Sequence, residues 1–413
     1  MPTCSKRGFG DVMHILETSY DYPPNCLWGT GAHVGFLAES LSLKGYKVTV
    51  VTRNRSRISK IDSGDVPGVP RVIRCTSEFD EDNLVYKVRP VDSFASIDGI
   101  LAFCDIMAEY VMLNCHKPDI IHNHTWMTYA LAQQLSEHWN VPIISTVHFV
   151  SSQYVEAGLQ HTQNQTHGWY GMRAIEEAWL SHSEKIVVPS QMASEYVTAA
   201  YPLVANKIRV IEHPNPDGLI KESYVAHSPF RILTVGRLVA EKGYQALMQA
   251  LKILGSDNIV WIAVGDGKQR PELMLEASRC AVNVKWAGKL SSDEVSKAYC
   301  DADVIVVPSI TETYGLVVRE AMQSGLPVIA SKIPTFEDQI TDRVTGILIP
   351  LTEWRGNPLM DPVLLANALR ELIADQGIRQ TLGTNARRAS GEKNDVNRYI
   401  RQVLDSSGDG QKV

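Results

Sequence analysis

Short apolar runs alternate with amphipathic segments along the first half of the chain. Six runs have the length and β-branched content of strands, at 12–19, 47–52, 119–124, 141–149, 185–190 and 207–214. Three segments between them have the apolar spacing of helices, at 32–46, 128–139 and 171–183. Strands that alternate with helices predict βαβ units and therefore a parallel sheet.

The pattern lapses at 214–229, which is rich in turn-forming residues and predicts a linker. It then restarts, with strands predicted at 230–237, 258–267, 284–288, 303–309, 327–331 and 345–350. Helical spacing covers 242–254, 271–280, 292–300, 316–325 and 363–389. The sequence thus predicts an α/β fold with two doubly wound, Rossmann-like domains, 1–213 and 230–389, facing each other across a cleft. The segment 390–413 is expected to form a helix that packs back on the first domain and ends in a frayed tail.

Composition narrows the class of protein. A chain of 413 residues is too long for one hydrophobic core, and its 44% hydrophobic and 21% charged residues are typical of a soluble globular protein. The net charge of −6 gives no basic field, so nucleic acid is not an expected partner. The seven cysteines lack C-x-x-C spacing, which indicates reduced thiols and a cytoplasmic location. The sequence shows no signal-peptide core or membrane-spanning run, although peripheral membrane contact stays open and the oligomeric state is undetermined.

A glycine-rich segment, WGTGAHVG, precedes the first predicted helix. Gly29 and Gly31 would let backbone amides approach an anionic ligand at the helix N-terminus. The next glycine, Gly35, misses the spacing of a dinucleotide fingerprint, and no acidic residue ends the second strand. A dinucleotide-dependent oxidoreductase is therefore disfavoured. A tight strand-to-helix turn is as good an interpretation as an anion site.

Two cations follow the first strand of the second domain. Arg237 stands directly after the strand and Lys242 opens the next helix, so together they could clamp a pyrophosphate. Solvated surface charges are the alternative, and the position at a strand end favours the ligand site. A Gly-Asp-Gly loop at 265–267 follows the next strand and could bring backbone amides against a base or ribose, or be merely a turn.

The segment TETYGLVVREAM (311–322) places two carboxylates around a helix start. The amides of Gly315 and Leu316 would form a phosphate site. Glu320 lies one turn beyond Leu316 and could accept hydrogen bonds from a ribose diol. Glu312 would face whatever is attached beyond the phosphate. Solvated surface charges stay open as the alternative for both glutamates.

The glycine-rich turn, GR-x4-KG, VGDG and E-x7-E, in that chain order, resemble the motifs of the family 4 glycosyltransferases over about 12–390. The resemblance implies the GT-B fold and retaining transfer of a hexose-type sugar from a nucleotide sugar, UDP-linked, to an acceptor hydroxyl. YPPNCLWGTGAHVGFLAE, DIIHNHTW and STVH are similar to segments of bacterial glycogen-synthase-like and maltose-1-phosphate-synthase-like members.

The resemblance also assigns roles to individual residues. Arg237 and Lys242 would neutralise the departing diphosphate. Glu312 would hold hydroxyls of the donor sugar, and His148 would lie near the sugar and the diphosphate. Donor binding would involve Gly29, Gly31, Gly265, Asp266, Gly267, Leu290, Thr313, Tyr314, Gly315, Leu316 and Glu320. No cofactor and no metal ion are implied, because the two cations replace the ion.

Three other polar features are weighed as sites. His122 and His124 alternate along a strand and share a face, so one is expected to line the cleft and the other to pack in the core. The D-x-D triplets at 80–82 and 301–303 are expected to be a solvated loop and a packing position, not metal sites. The crossover HPNPDG (213–218) departs from the N-G-[IV]-D turn common in the family.

The acceptor is expected to bind loops of the first domain, at 53–70, 75–98 and 150–171. An α-glucan or sugar phosphate, a small metabolite such as an aminocyclitol, and a lipid-linked sugar are all open as acceptors. Two other functions are also open. A UDP-sugar 2-epimerase would share the fold, although the E-x7-E segment disfavours it, and a two-domain protein could bind sugar without catalysis.

Overall fold

A computed structural model of the chain describes 12–24, 29–54, 60–62, 66–76, 78–80, 85–87, 97–151, 163–216, 218–255, 258–354, 356–391 and 395–405. Within these ranges, two largely parallel sheets with flanking helices form the two halves of the molecule, as predicted. No helix in the described part of the chain has both the length and the apolar character needed to cross a membrane.

The first half is built on an eight-stranded sheet. Its strands are β1 (His14–Thr18), β2 (Lys47–Asn54), β3 (Lys60–Asp62), β4 (Arg71–Thr76), β7 (Ile120–Asn123), β8 (Ile143–Thr146), β9 (Lys185–Val188) and β10 (Ile208–Val210). A separate hairpin consists of β5 (Glu78–Asp80) and β6 (Val85–Lys87). The helices are α1 (Gly29–Leu43), α2 (Ile97–Asn114), α3 (Tyr129–Trp139), α4 (Gln163–His182) and α5 (Gln191–Ala200). The strand order is β10-β9-β8-β7-β1-β2-β4-β3, and of these neighbours only β3 and β4 are antiparallel.

The second half is built on a six-stranded parallel sheet. Its strands are β11 (Phe230–Val235), β12 (Ile259–Val264), β13 (Val284–Gly288), β14 (Val304–Val307), β15 (Val328–Ser331) and β16 (Ile347–Ile349), in the order β13-β12-β11-β14-β15-β16. A hairpin of β17 (Leu351–Trp354) and β18 (Asn357–Met360) follows. The helices are α6 (Tyr244–Leu254), α7 (Arg270–Arg279), α8 (Ser292–Asp301), α9 (Leu316–Ser324), α10 (Pro334–Glu337), α11 (Pro362–Ala374), α12 (Gln376–Gly391) and α13 (Val396–Leu404).

The helix boundaries follow local chemistry. The N-terminus of α8 carries a reciprocal capping box, in which Ser291 and Glu294 satisfy each other's backbone amides. Asp361 accepts hydrogen bonds from two amides at the start of α11. The sequence prediction misses the strands β3 and β4, the two hairpins, and the helices α2, α5 and α10. The single helix predicted at 363–389 is two helices, α11 and α12. The predicted starts of α1 and α4 are too late, because the first turns of these two helices lack the expected apolar spacing.

The last helix, α13, packs on the first half of the molecule. Its apolar face, with Tyr399, Ile400 and Val403, belongs to the same hydrophobic cluster as Ile15 and Leu37. The Lys185 ammonium donates to the carbonyls of Gln402 and Val403, at 3.0 Å each, and so compensates the C-terminal end of the helix dipole. The chain therefore returns from the second sheet to cover the first.

Replacing Ile400 with alanine should destabilise the first half of the molecule. The side chain is only 3% exposed, so its truncation leaves a cavity that costs about 2–5 kcal/mol of unfolding free energy. Gln402→Ala in the same helix is the matched control, because that side chain is exposed and its loss should cost less than about 0.5 kcal/mol. Urea unfolding followed by tryptophan fluorescence, to which buried Trp179 of the first half contributes, measures both variants. Equal stability of the two would show that α13 is not anchored.

Candidate active site

The candidate residues lie just past the carboxyl ends of parallel strands. In the first sheet, His124 follows β7 and His148 follows β8. In the second sheet, Arg237 follows β11, and the loop with Glu312 follows β14. The strand order reverses between β1 and β7 in the first sheet and between β11 and β14 in the second. These are the topological switch points at which open α/β sheets bind ligands.

Arg237 and Lys242, the two candidate ligand-binding cations of the second domain, are each paired with a carboxylate. Arg237 donates to Glu241 at 3.1 Å, and the Lys242 ammonium forms an ion pair with Glu312. Glu312 also accepts from the Ser309 hydroxyl at 3.1 Å. The sequence predicts that Lys242 and Glu312 contact different parts of one ligand. The structure brings them into direct contact.

The N-terminus of α9 lies in the same cleft. Gly315 caps the helix with a φ of 72°, and a Cβ there would lie 2.5 Å from the Phe336 ring, so the position requires glycine. One turn into the helix, Glu320 accepts a 2.7 Å hydrogen bond from the Tyr299 hydroxyl. Desolvation raises the pKa of Glu320, and this hydrogen bond offsets only part of the rise. The carboxylate is thus fixed by a second residue that the sequence pattern did not reveal.

Two helix N-termini, one from each domain, lie close together at the cleft. A Cβ on Gly29, the first residue of α1, would lie 3.1 Å from Cδ1 of Leu316, the first residue of α9. Gly31 is buried in the same turn of α1. Each helix N-terminus carries unpaired amides and about half a positive charge. The arrangement therefore concentrates positive potential at one point, where an anion would be stabilised.

A pocket between the two domains lies beside the two ion pairs. It is lined by Phe149, Arg237, Glu241, Lys242, Thr311, Glu312 and Thr313. Phe149 belongs to the first domain, and the other residues belong to the second. The side chain of Tyr314 is buried beside this pocket. Its hydroxyl donates a hydrogen bond to the carbonyl of His213 at 3.1 Å. The crossover between the domains is therefore attached to the loop that carries Glu312.

The Gly-Asp-Gly loop packs against the segment that carries Arg237. A Cβ on Gly265 would lie 1.9 Å from the carbonyl oxygen of Gly236, so only glycine fits. The amide of Leu238 donates to the carbonyl of Asp266 at 3.0 Å. The Asp266 carboxylate is half exposed beside Arg270, and a Cβ on Gly267 would meet the Leu238 backbone. Leu290, after β13, is half-buried against the apolar core of the domain.

A network of histidines lies beneath the cleft in the first domain. His122 and His124 are both buried, and both contact the buried carboxylate of Glu17 in β1, with His124 Nε2 at 2.6 Å. Burial would raise the pKa of Glu17, but the charge and hydrogen bonds of the two histidines lower it to about 2. His124 Nδ1 lies 3.3 Å from Nε2 of His148. Sequence reasoning missed Glu17, although a carboxylate inside an apolar strand was a visible signal.

Two further residues of this network were also missed. His33 in α1 and His213 in the crossover are buried, with ring centroids 4.0 Å apart. His213 is part of HPNPDG, the segment that departs from the usual family turn. This segment therefore places a buried imidazole beside the cleft.

The D-x-D triplets and the acceptor loops, also predicted from the sequence, do not line the pocket between the two domains as far as the structure describes them. Asp303 of the second D-x-D triplet is buried and accepts from the amide and ring of His227 and the amide of Arg231, which is the packing position expected. Most of the first triplet and parts of the acceptor loops, including 55–59, 88–96 and 152–162, lie outside the described residues. A larger surface groove, which includes Ile347 at the start of β16, lies at the amino end of the second sheet, away from the candidate site.

Comparison with known proteins agrees with this geometry. The family described as Glycosyltransferase Family 4 matches residues 29–214, and Glycosyl transferases group 1 matches residues 219–389. The uncharacterized glycosyltransferase MJ1607 of Methanocaldococcus jannaschii is 28% identical over 404 residues, which cover 92% of this chain and 94% of that protein. Glycogen synthase of Mycobacterium tuberculosis is 26% identical over 397 residues, covering 91% and 89%.

A solved structure has the same fold. The Anabaena protein HepE, in complex with UDP and glucose, superposes with a TM-score of 0.70 at 18% sequence identity, covering 95% of this chain and 98% of that one. The predicted GT-B fold and the resemblance to family 4 are both confirmed. The two glycosyltransferase families match successive halves of the sequence, a family 4 domain followed by a group 1 domain. The chain therefore belongs to the glycosyltransferases and is an enzyme of the GT-B fold.

Proposed function

We propose that this chain transfers a hexose from a nucleoside diphosphate sugar, UDP-linked, to an acceptor hydroxyl, with retention of the α configuration. The observation that carries the proposal is the meeting of two helix N-termini, at Gly29 and Leu316, in the cleft that also contains Arg237 and Lys242. Two cations and two sets of free amides match the charge of a diphosphate. The UDP and glucose bound to HepE support the choice of donor.

In the proposed reaction, the bond between the anomeric carbon and the diphosphate oxygen breaks, and its electron pair stays on the diphosphate. The acceptor oxygen attacks the anomeric carbon from the same face, and its proton passes to a phosphate oxygen. The protein then needs no nucleophile of its own. Its main contribution is to stabilise the charge that develops on the leaving group with donors fixed in advance.

Donor binding would exchange ion-pair partners in the cleft. Lys242 is paired with Glu312, and a diphosphate would compete for the ammonium as the stronger anion. Glu312 would then be released toward hydroxyls of the sugar. Until the donor arrives, the pairing keeps both groups satisfied in a partly buried site, where an unpaired charge is costly.

The alternative functions and the possible acceptors are weighed by different findings. Membership of the glycosyltransferases argues against a sugar-binding protein without catalysis and against a 2-epimerase. The glycogen synthase of M. tuberculosis supports a glucan acceptor, while the small-metabolite and lipid-linked acceptors stay open. A screen of nucleotide sugars against an acceptor panel, with products detected by mass spectrometry, tests the proposal. Epimerised donor without transfer product would overturn it.

Arg237→Ala should lower kcat by about two orders of magnitude or more, because it removes a donor that stabilises charge on the leaving diphosphate. Lys252→Ala is the matched control, since this lysine of the same domain pairs with Glu276 outside the cleft and should keep wild-type turnover. Steady-state transfer assays measure both variants. Near-normal turnover by Arg237→Ala would remove the residue from the diphosphate site.

Glu312→Gln and Glu320→Gln should fail in different ways. Glu320→Gln keeps the hydrogen bond from Tyr299 but weakens the contact to the ribose, so the donor KM should rise roughly tenfold. Glu312→Gln frees Lys242 to bind the diphosphate but disturbs the sugar beside the breaking bond. Its kcat should therefore fall by about tenfold or more while the donor KM does not rise. Wild-type kinetics in both variants would make the two glutamates surface charges.

Transfer activity should persist in excess EDTA. The two cations and the helix amides are expected to take the place of a divalent ion on the diphosphate. The assay compares initial rates of donor consumption with and without the chelator. A complete loss in EDTA that manganese or magnesium restores would contradict the metal-free diphosphate site.

A further inference from the structure

Three histidines from separate parts of the chain converge beside the cleft. His33 belongs to α1, His148 follows β8, and His213 lies in the crossover between the domains. Each offers one ring nitrogen, and these three nitrogens lie within 4.8 Å of one another. The ring centroid of His148 lies 5.0 Å from that of His213 and 5.2 Å from that of His33.

Two of these imidazoles have ring nitrogens without a partner. His213 is 1% exposed, and neither of its nitrogens makes a hydrogen bond. His33 is 4% exposed, and its Nδ1 also lacks a partner. A buried polar atom left unsatisfied costs about 1–3 kcal/mol. A ligand that bound both rings at once would remove this cost.

The second ring nitrogens of His33 and His148 contact neighbouring groups. Nε2 of His33 lies 3.3 Å from the Tyr399 hydroxyl. Nε2 of His148 lies 3.3 Å from Nδ1 of His124, whose own Nε2 donates to Glu17. Since His124 donates from Nε2, its Nδ1 accepts the proton of His148, and Nδ1 of His148 keeps a lone pair. Histidines that bind metals are oriented by such partners on the opposite nitrogen.

Burial favours the neutral form of the three imidazoles. Burial lowers the pKa of His33, His148 and His213 well below the usual value, and the nearby histidines lower it further. A neutral imidazole has one lone pair, and it binds metal ions without first losing a proton.

We propose that His33, His148 and His213 form a binding site for a divalent transition-metal cation of the zinc class. Three imidazoles suit zinc, cobalt, nickel and copper, and do not suit magnesium or calcium, which prefer oxygen ligands. In tetrahedral geometry, ligands at about 2.1 Å from the ion lie ~3.4 Å apart. The three nitrogens lie within 4.8 Å of one another, so each pair needs to approach by at most about 1.4 Å. Three protein ligands leave a fourth position for water or a hydroxyl.

The neighbouring cluster of Glu17, His122 and His124 does not compete for the ion. The two oxygens of Glu17 accept from the two histidines, and Nε2 of His122 bonds to the Thr146 hydroxyl at 2.7 Å. A cation there would have to break these bonds. Among the described residues, the three-histidine cluster is therefore the group of possible metal ligands that has ring nitrogens without a hydrogen-bond partner.

A bound cation would connect the crossover to the first domain. His33 and His148 belong to that domain, whereas His213 follows its last strand, and the carbonyl of His213 accepts from Tyr314 of the second domain. The ion would thus stabilise the junction of the two domains. The site contains neither Arg237 nor Lys242, but it shares His148 with the proposed donor site, where the resemblance to family 4 places this residue near the sugar and the diphosphate.

Cobalt titration of the chelator-treated full-length chain tests the site. Wild-type protein should bind one Co²⁺ per chain, with the visible absorption of a tetrahedral site, and Zn²⁺ should displace it. His213→Gln, which keeps a polar side chain of similar size, should lower the affinity at least about tenfold. Tyr399→Phe should lower it less, since it removes only the partner of His33. His138→Ala, at an exposed position in α3, is the matched control and should bind as wild type.

Either of two results would overturn the proposal: no stoichiometric cobalt binding by the wild type, or equal affinity in wild type and His213→Gln. Circular dichroism shows whether each variant is folded. Thermal unfolding gives a second measurement, because a cation bound only by the folded state raises the Tm of the wild type more than that of His213→Gln. Sugar transfer is measured separately in EDTA, so failure of the metal site and failure of the proposed activity are distinguishable.

Discussion

Parallel strands require a crossover connection, and this constraint determines where the functional groups of the protein lie. Each strand that runs parallel to its neighbour is followed by a loop and usually a helix before the chain returns. The carboxyl ends of the strands therefore share one edge of each sheet, and helices begin there. Because the two sheets present these edges to each other, the N-termini of α1 and α9 meet at Gly29 and Leu316. The positive potential of the cleft follows from the fold before any charged side chain is added.

Charged side chains are placed in this cleft in pairs. Arg237 is held by Glu241 and Lys242 by Glu312, so no group of these two pairs is buried alone. A partly buried cation that is already paired can exchange its carboxylate for a phosphate at little desolvation cost. The same reasoning applies to Glu17, whose buried charge is compatible with the first sheet only because two histidines donate to it. Stability of the empty site and recognition of an anion thus use the same residues.

The crossover links the two domains through polar contacts. Arg319 of α9 pairs with Glu212 at 3.1 Å, and Tyr314 donates to the His213 carbonyl. Movement of the second domain would therefore displace His213, which contacts His33 and His148 of the first domain. The histidine cluster lies at the junction where closure of a GT-B cleft would be expected to act. A ligand on this cluster would favour one relative position of the domains over another.

The sequence by itself determined the alternation of strands and helices, and with it the two α/β domains and the strand-end loops of Arg237 and Glu312. These features depend on local apolar spacing and on glycine positions, which a single chain displays directly. It did not determine which side chains touch: the pairing of Lys242 with Glu312, the support of Glu320 by Tyr299, and the convergence of His33 with His213. Those contacts join residues far apart in the chain, and their geometry depends on how helices pack across the sheets and how one domain meets the other. Helix α2 is a different case, because its buried positions Ile100, Phe103, Cys104 and Met107 do repeat with helical spacing. This helix was therefore readable from the sequence, and the prediction missed it.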